Sequence, residues 1–286
     1  MTRSLNGRTI FMSGGSRGIG LAIAVRAAQD GARVALMAKT AEPHPKLPGT
    51  IYSAAEEIQA AGGEALPIVG DIRDAERVDR AVIQTVERFG GIDIVVNNAS
   101  AINLSSMADL EVKRFDLMQQ INTRGTFVVT RACLPHLRES NAAHVLTLSP
   151  PLSTDARWLR VHSAYTVSKM GMTMLTLGLA ADEAETGVAA NCLWPRTIIA
   201  TAAVQNLLGG DEAMVRARTP EIMADAAREI LVRPPRDCTG NAFIDDEVLA
   251  DAGVTDLDRY SASDDAELAL DLFVHGWPDP APASRV

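Results

Sequence analysis

Lysine, tyrosine and cysteine are all scarce in this chain. Only four of its 27 basic residues are lysines, and it holds three tyrosines and three cysteines. Cys133, Cys192 and Cys238 are widely scattered and form no C-x-x-C pair. That excludes a disulfide framework and a clustered zinc site, fits a reducing compartment, and leaves buried free thiols as the expectation. No metal is expected. No apolar run reaches membrane-spanning length, and residues 1–7 are polar, without the apolar region of a secretion signal. A cytoplasmic protein with no membrane partner follows. Basic charge is also in deficit: the net charge of −9 argues against a nucleic-acid partner.

What is present is alternation. Short apolar runs fall at residues 9–13, 33–38, 65–69, 92–97, 143–149, 188–194 and 241–245. Amphipathic stretches at 51–61, 75–89, 109–134, 164–184 and 221–232 lie between them. Strand and helix repeated this way predict an α/β fold: a doubly wound parallel sheet of about seven strands, helices on both faces, right-handed crossovers. Nothing marks a domain boundary. Residues 1–286 read as one domain, with a core over about 5–250 and an acidic extension, 251–286, that is surface-wrapping or partly mobile.

The scarce residues meet in Ala164-Tyr165-Thr166-Val167-Ser168-Lys169. Four apart on a helix, Tyr165 and Lys169 share one face. A phenol ordinarily ionises near pH 10, too high for proton exchange at neutrality; a fixed cation one turn away favours the phenolate. Directly after the first apolar run comes Ser13-Gly14-Gly15-Ser16-Arg17-Gly18-Ile19-Gly20, followed by a helix. Glycines there let the backbone approach a pyrophosphate, whose charge meets the helix N-terminus. The second strand ends Ala38-Lys39 with no carboxylate, and Arg17 stands in the glycine turn. Two cations and no acid fit a ribose 2′-phosphate, so NADP(H) is expected over NAD(H). Gly70-Asp71-Ile72 places a carboxylate where an adenine amino group lies, and Asn97-Asn98-Ala99-Ser100 closes the fourth strand. Read alone, each is ordinary turn chemistry; at successive strand ends they line one crevice.

Taken in order and spacing, the glycine turn, Asp71, Asn97-Asn98-Ala99, Asn122 in Ile121-Asn122-Thr123, Tyr165-x-x-x-Lys169 and Pro195 resemble the short-chain dehydrogenase/reductase family, whose fold is Rossmann-like. Longer strings, among them Asn122-Thr123-Arg124-Gly125-Thr126 and Trp194-Pro195-Arg196-Thr197, resemble its hydroxysteroid dehydrogenase-like protein two branch. Animal members of that branch carry a C-terminal sterol-carrier-like domain, which this chain is expected to lack.

The resemblance implies an oxidoreductase acting on a small-molecule carbonyl or alcohol. Tyr165 would exchange the proton, Lys169 would lower its pKa and bond the nicotinamide ribose, and Asn122 would hold a water relayed to Lys169. Gly14, Ser16, Arg17, Gly18, Ile19, Gly20, Lys39, Asp71, Ile72, Asn98, Ala99, Tyr165, Lys169, Pro195 and Ile198 would contact NADP(H), with Ile198 or Thr197 meeting the carboxamide. The sequence departs from the family at one place. Pro150 occupies the slot of the serine that orients the carbonyl, and proline has no hydroxyl to donate. Either Ser149 or Ser153 could stand in. Residues 199–225 are expected to cover the substrate, and their apolar side chains suit a lipid-like one. Trp158 would line the pocket mouth, and His162 is read as a loop histidine. Helices 109–134 and 164–184 would flank the sheet and form a homodimer or homotetramer interface.

Overall fold

Continuous apolar runs are what strands need when both faces of a sheet are covered, and β1 (Thr9–Ser13) is buried at all five positions. It pairs in parallel with β2 (Arg33–Ala38) on one side and β4 (Ile94–Asn97) on the other. Beyond them lie β3 (Glu64–Val69), β5 (His144–Thr147), β6 (Ala189–Trp194) and β7 (Ala242–Ile244), in the order β3-β2-β1-β4-β5-β6-β7. Every pairing is parallel. Pro67 sits in β3, an edge strand where a missing N–H breaks no second ladder. This computed structural model describes residues 4–45, 47–263 and 266–276. The Trp277-Pro278-Asp279-Pro280 end of the acidic tail lies outside the described residues.

Alternate residues of each strand feed two cores. Ile10, Met12, Val34 and Leu36 face α1 (Gly18–Gln29), α2 (Ile51–Ala60) and the helix Glu221–Leu231. Phe11, Ala35, Met37 and Val95 face α3 (Ala75–Phe89) and α5 (Arg124–Leu137). In α3 the repeat Val78, Ala81, Val82, Thr85, Phe89 builds one buried stripe. Each large apolar side chain there contributes roughly 1.5–3 kcal/mol. Asp74 caps the helix through the amide of Arg77, and Gly90, left-handed at φ +87°, ends it. Thr50 and Ser53 form a reciprocal capping box at the start of α2.

The described elements depart from the sequence expectation in three places. The stretch expected at 109–134 runs from α4 (Val112–Met118) through a π-helical turn, Gln119–Thr123, into α5. The helix expected at 164–184 starts earlier, as α6 (Ala156–Asp182), with non-helical backbone at His162. His162 is therefore a helix kink and not a loop residue; its Nδ1 lies 3.0 Å from the carbonyl of Leu104. The extension is not confined to the surface. Past the helix Asp245–Asp251, Tyr260, Phe273 and Val274 are buried.

Candidate active site

The strand order reverses between β1 and β4, and the crevice opens at their carboxyl ends, where the two crossovers leave on opposite faces. A cleft of about 820 Å³ lies there, lined by Gly14, Ser16, Arg17, Gly18, Ile19, Lys39, Asp71, Ile72, Asn98 and Ala99. Ten of the predicted cofactor residues thus share one cavity. Close approach explains the glycines. Gly14 has φ +75°, and a Cβ on it would sit 2.8 Å from the Cα of Ala99. A Cβ on Gly20 would meet the amide of Asn98 at 2.4 Å, so Gly20 supports the cleft from behind. Asn98 in turn donates to the carbonyls of Ser13 (3.1 Å) and Gly14 (2.7 Å), locking the glycine turn to the end of β4.

The two cations are less free than the sequence suggested. Arg17 donates to the carbonyls of Pro48 (3.0 Å) and Gly49 (3.1 Å), and burial lowers its pKa. The Lys39 ammonium stands 3.7 Å from the Asp71 carboxylate, which also takes two bonds from the Arg73 guanidinium. Burial alone would raise the Asp71 carboxyl, but its hydrogen bonds from Arg73 and the nearby Lys39 hold it below its ordinary value. The cleft is also lined by Thr40, His44, Ser100, Ile102 and Ile121, and by Thr201, Asn206 and Leu207 from the segment expected to cover the substrate. Of these, Thr40, His44, Ile102 and Ile121 carry no assignment from the sequence; Thr40, His44 and Ile102 lie in loops after strands, and Ile121 precedes Asn122 in the π-helical turn.

At the other end of the crevice, Tyr165 and Lys169 are both buried, on one face of α6. Lys169 Nζ donates to the carbonyl of Leu148 (2.9 Å) and lies 5.2 Å from the centre of the Trp194 ring. Asn122 sits in the π-helical turn, fully buried. It accepts from the amide of Ala101 (2.7 Å) and donates to the Ala101 carbonyl and the Ser168 hydroxyl, both at 2.9 Å. Ser168, one residue from Lys169, thus ties Asn122 to α6. Pro195 is buried after β6.

Neither candidate serine is directed at Tyr165 by its bonds. Ser149 Oγ lies 2.9 Å from Thr173 Oγ1 in the interior beside the Cys192 thiol, hydroxyl bonded to hydroxyl. Ser153 accepts from the amide of Asp155 (3.2 Å) at the exposed start of α6. The Pro150 carbonyl takes a 2.7 Å bond from Thr173.

What the sequence did not reveal is the tail's place in this site. The amide of Ile198 donates to the carbonyl of Ala269 (3.0 Å), Asp271 N to the carbonyl of Arg196 (3.0 Å), and Trp194 Nε1 to the carbonyl of Leu272 (2.8 Å). Phe273 follows, its ring centre 5.2 Å from Trp158, 6.0 Å from Trp194 and 6.1 Å from Tyr165. Among the described residues Phe273 is the one non-glycine with positive φ, +69°, a conformation that costs about 1–2 kcal/mol. Burial, then the nearby Asp271 carboxyl, push the Tyr165 phenol up from its ordinary value. Burial also drives Lys169 down and Asp271 up, each toward its neutral form. A sequence signal existed in the apolar alternation of Leu268, Leu270 and Leu272, which is strand-like.

The three cysteines are buried and free, as expected, and the described residues hold no cluster of ligands able to bind a metal. No described helix is long and apolar enough to cross a membrane.

Comparison with known proteins agrees with this geometry. The short chain dehydrogenase family model matches residues 8–210. Hydroxysteroid dehydrogenase-like protein 2 of Xenopus tropicalis is 51% identical over 97% of this chain, which spans 66% of that protein's length. A short chain dehydrogenase from Mycobacterium thermoresistibile is 57% identical, with a TM-score of 0.91 over 98% of this chain and 99% of its own. A candidate dehydrogenase from Xanthomonas campestris is 55% identical, with a TM-score of 0.92 over 95% and 99%. Seven parallel strands, a glycine turn at their switch point and matches of this extent make the chain a member of the short chain dehydrogenase family of oxidoreductases, which use a nicotinamide cofactor.

Proposed function

We propose that this chain is an NADP(H)-dependent oxidoreductase acting on a carbonyl or alcohol group of a small, apolar, lipid-like substrate in the cytoplasm. The observation that carries it is the buried Tyr165–Lys169 face of α6 at one end of a crevice whose other end is the glycine-turn cleft. The fit to the cofactor rests on the cradle at Gly14, which a Cβ would fill, and on the size of the cleft beside it. Gly14, Ser16, Arg17, Gly18 and Ile19 would hold the pyrophosphate, Arg17 and Lys39 the 2′-phosphate, Asp71 and Ile72 the adenine, and Asn98 and Ala99 the sugar. Ile198 and Pro195 would meet the nicotinamide. When bound, the dinucleotide supplies or accepts a hydride. In the reducing direction Tyr165 Oη gives its proton to the carbonyl oxygen as carbon gains the hydride, forming the alcohol. Lys169 offsets the charge left on the phenolate, and Asn122 ties the loop after β4 to α6, the helix that carries the pair.

NADPH and NADH turnover, compared in wild type and in the Ala38→Asp/Lys39→Ala double variant, tests the cofactor assignment. Wild type is expected to favour NADPH and the variant to lose that preference. Preference of the wild type for NADH overturns it.

A second reading is favoured by one observation. Pro150 stands in the serine slot, Ser149 is turned into the interior and Ser153 is bonded at the surface. That supports a catalytically weak NADP(H)-binding sensor or assembly protein. Tight NADPH binding without turnover on ketones, aldehydes or acyl-thioesters would favour it. In either reading a homodimer or homotetramer fits the exposed Phe127, Val167 and Met174 on α5 and α6, and a monomer in sedimentation at micromolar concentration contradicts it.

A further inference from the structure

The cleft ends before the chemistry begins. Its lining runs from Gly14 to Ile121 and Leu207 but does not reach Tyr165 or Lys169, which are 4% and 3% exposed. Any reaction at Tyr165 Oη needs a carbonyl and a hydride donor within contact of it. The space next to its ring is taken by Phe273, enclosed between Trp158, Trp194 and Tyr165. The backbone leading there is pinned by bonds from Ile198 N, Asp271 N and Trp194 Nε1. Leu270 bridges Thr197 in antiparallel fashion, so the chain at residues 269–271 runs along the loop after β6 before turning at Leu272 and Phe273.

We propose that residues 269–274 are a self-supplied strap that occupies the reaction end of the crevice and must be displaced before the nicotinamide half of the cofactor and the substrate can reach Tyr165. Phe273 is its anchor. The proposal rests on the cofactor reading above, because only a dinucleotide bound in the glycine-turn cleft extends toward Tyr165.

Three features suit a strap more than a permanent wall. Phe273 is held in the left-handed region, so its seat is bought with backbone strain that release removes. Asp271 is half-buried, its carboxyl interacts electrostatically with Lys169 and Asp245, and the Leu272 amide, 2.6 Å away, is bonded to it. Beside the segment, at Thr197, which bridges Leu270, and at Asp245, which accepts from the Arg196 amide, the side-chain atoms Thr197 Oγ1 and Asp245 Oδ2 are buried without a partner, a cost the closed arrangement carries. The adenosine end of the cleft is open throughout. The strap therefore opposes one half of the dinucleotide and leaves the other half untouched.

The test compares affinity for NADPH with affinity for 2′,5′-ADP, which fills only the open end, in wild type and Phe273→Ala. NADH and ADP are run alongside. Apparent affinity scales with the fraction of open protein, so Phe273→Ala is expected to bind NADPH about tenfold more tightly, with 2′,5′-ADP binding unchanged. An unchanged ratio overturns the strap. Weaker NADPH binding also overturns it, and makes Phe273 part of the cofactor's own seat. Failure of every variant to bind either the dinucleotides or the fragments defeats the cofactor reading itself. Hydrogen exchange on the wild type needs no variant. NADPH, and not 2′,5′-ADP, is expected to speed exchange in residues 269–273, whereas slower exchange there means a lid that closes on bound cofactor and refutes displacement.

Discussion

The ring of Phe273 lies 6.1 Å from the ring of Tyr165, inclined at 32°, and both are buried. A residue near the end of the described chain thus packs on the tyrosine proposed as the acid/base group. Burial, and after it the nearby Asp271 carboxyl, shift the phenol's pKa. Burial raises it, the reverse of what proton exchange at neutral pH requires. Tyr165→Phe keeps the ring packing and removes the hydroxyl. It is expected to lower kcat by about 10²–10⁴-fold while leaving NADPH affinity within about twofold. A variant retaining more than a tenth of wild-type kcat on a reduced ketone panel would remove Tyr165 from the mechanism.

The carbonyl-orienting hydroxyl is tested by two alanine replacements. Ser149→Ala loses an interior bond with Thr173 and is expected to cost about 1 kcal/mol of stability with kcat unchanged. Ser153→Ala, at a partly exposed position, is expected to change neither by a measurable amount. A tenfold fall in kcat in either one identifies that serine as the donor.

Gly14 and Gly91 make a matched pair. An alanine at Gly14 meets the Cα of Ala99 at 2.8 Å and forces a side chain into φ +75°. Gly14→Ala is expected to cost about 1–3 kcal/mol and to weaken dinucleotide binding at least tenfold. Gly91 has open space around it and no positive φ, so Gly91→Ala should stay within about 0.5 kcal/mol. Urea unfolding and NADPH titration read both effects, and equal behaviour of the two variants would show that the turn tolerates a side chain.

His144 in β5 sets a pH dependence of known sign. Its Nε2 donates to the Arg233 carbonyl (3.0 Å), and burial, with the nearby Arg8 charge, lowers its pKa to about 4. The unfolded chain takes up this proton below about pH 6.5, whereas the folded one resists until about 4. The neutral imidazole's contribution is therefore complete above 6.5 and is lost as pH falls. Asp245, pushed up to about 6 by burial, acts in the opposite sense, so the effect is measured as a difference. Between pH 7 and 5 wild type is expected to lose about 2 kcal/mol more stability than His144→Asn. Parallel pH profiles for the two proteins would contradict it.

The sequence by itself determined the sheet and one wall of the crevice, because those depend on short-range pattern. Runs such as Arg33–Ala38 are apolar on both faces and can only be interior strands, while the period of Ala75–Phe89 leaves one apolar stripe. Each predicted residue from Gly14 to Ala99 that lines the cleft sits at a strand end, in the turn after it or in the first turn of the helix that follows, so local order brings it to the cleft. Tertiary structure alone decided what depends on distant segments meeting. It bent α6 at His162, gave the pairs Lys39–Asp71 and Arg17–Gly49, turned Ser149 toward Thr173, and bonded Asn122 to Ala101 and Ser168. It also seated Phe273 on a tyrosine more than a hundred residues earlier. No periodicity encodes that contact. It exists because the loop after β6 offers backbone donors and acceptors to the tail, and three aromatic rings offer Phe273 a dry place to rest.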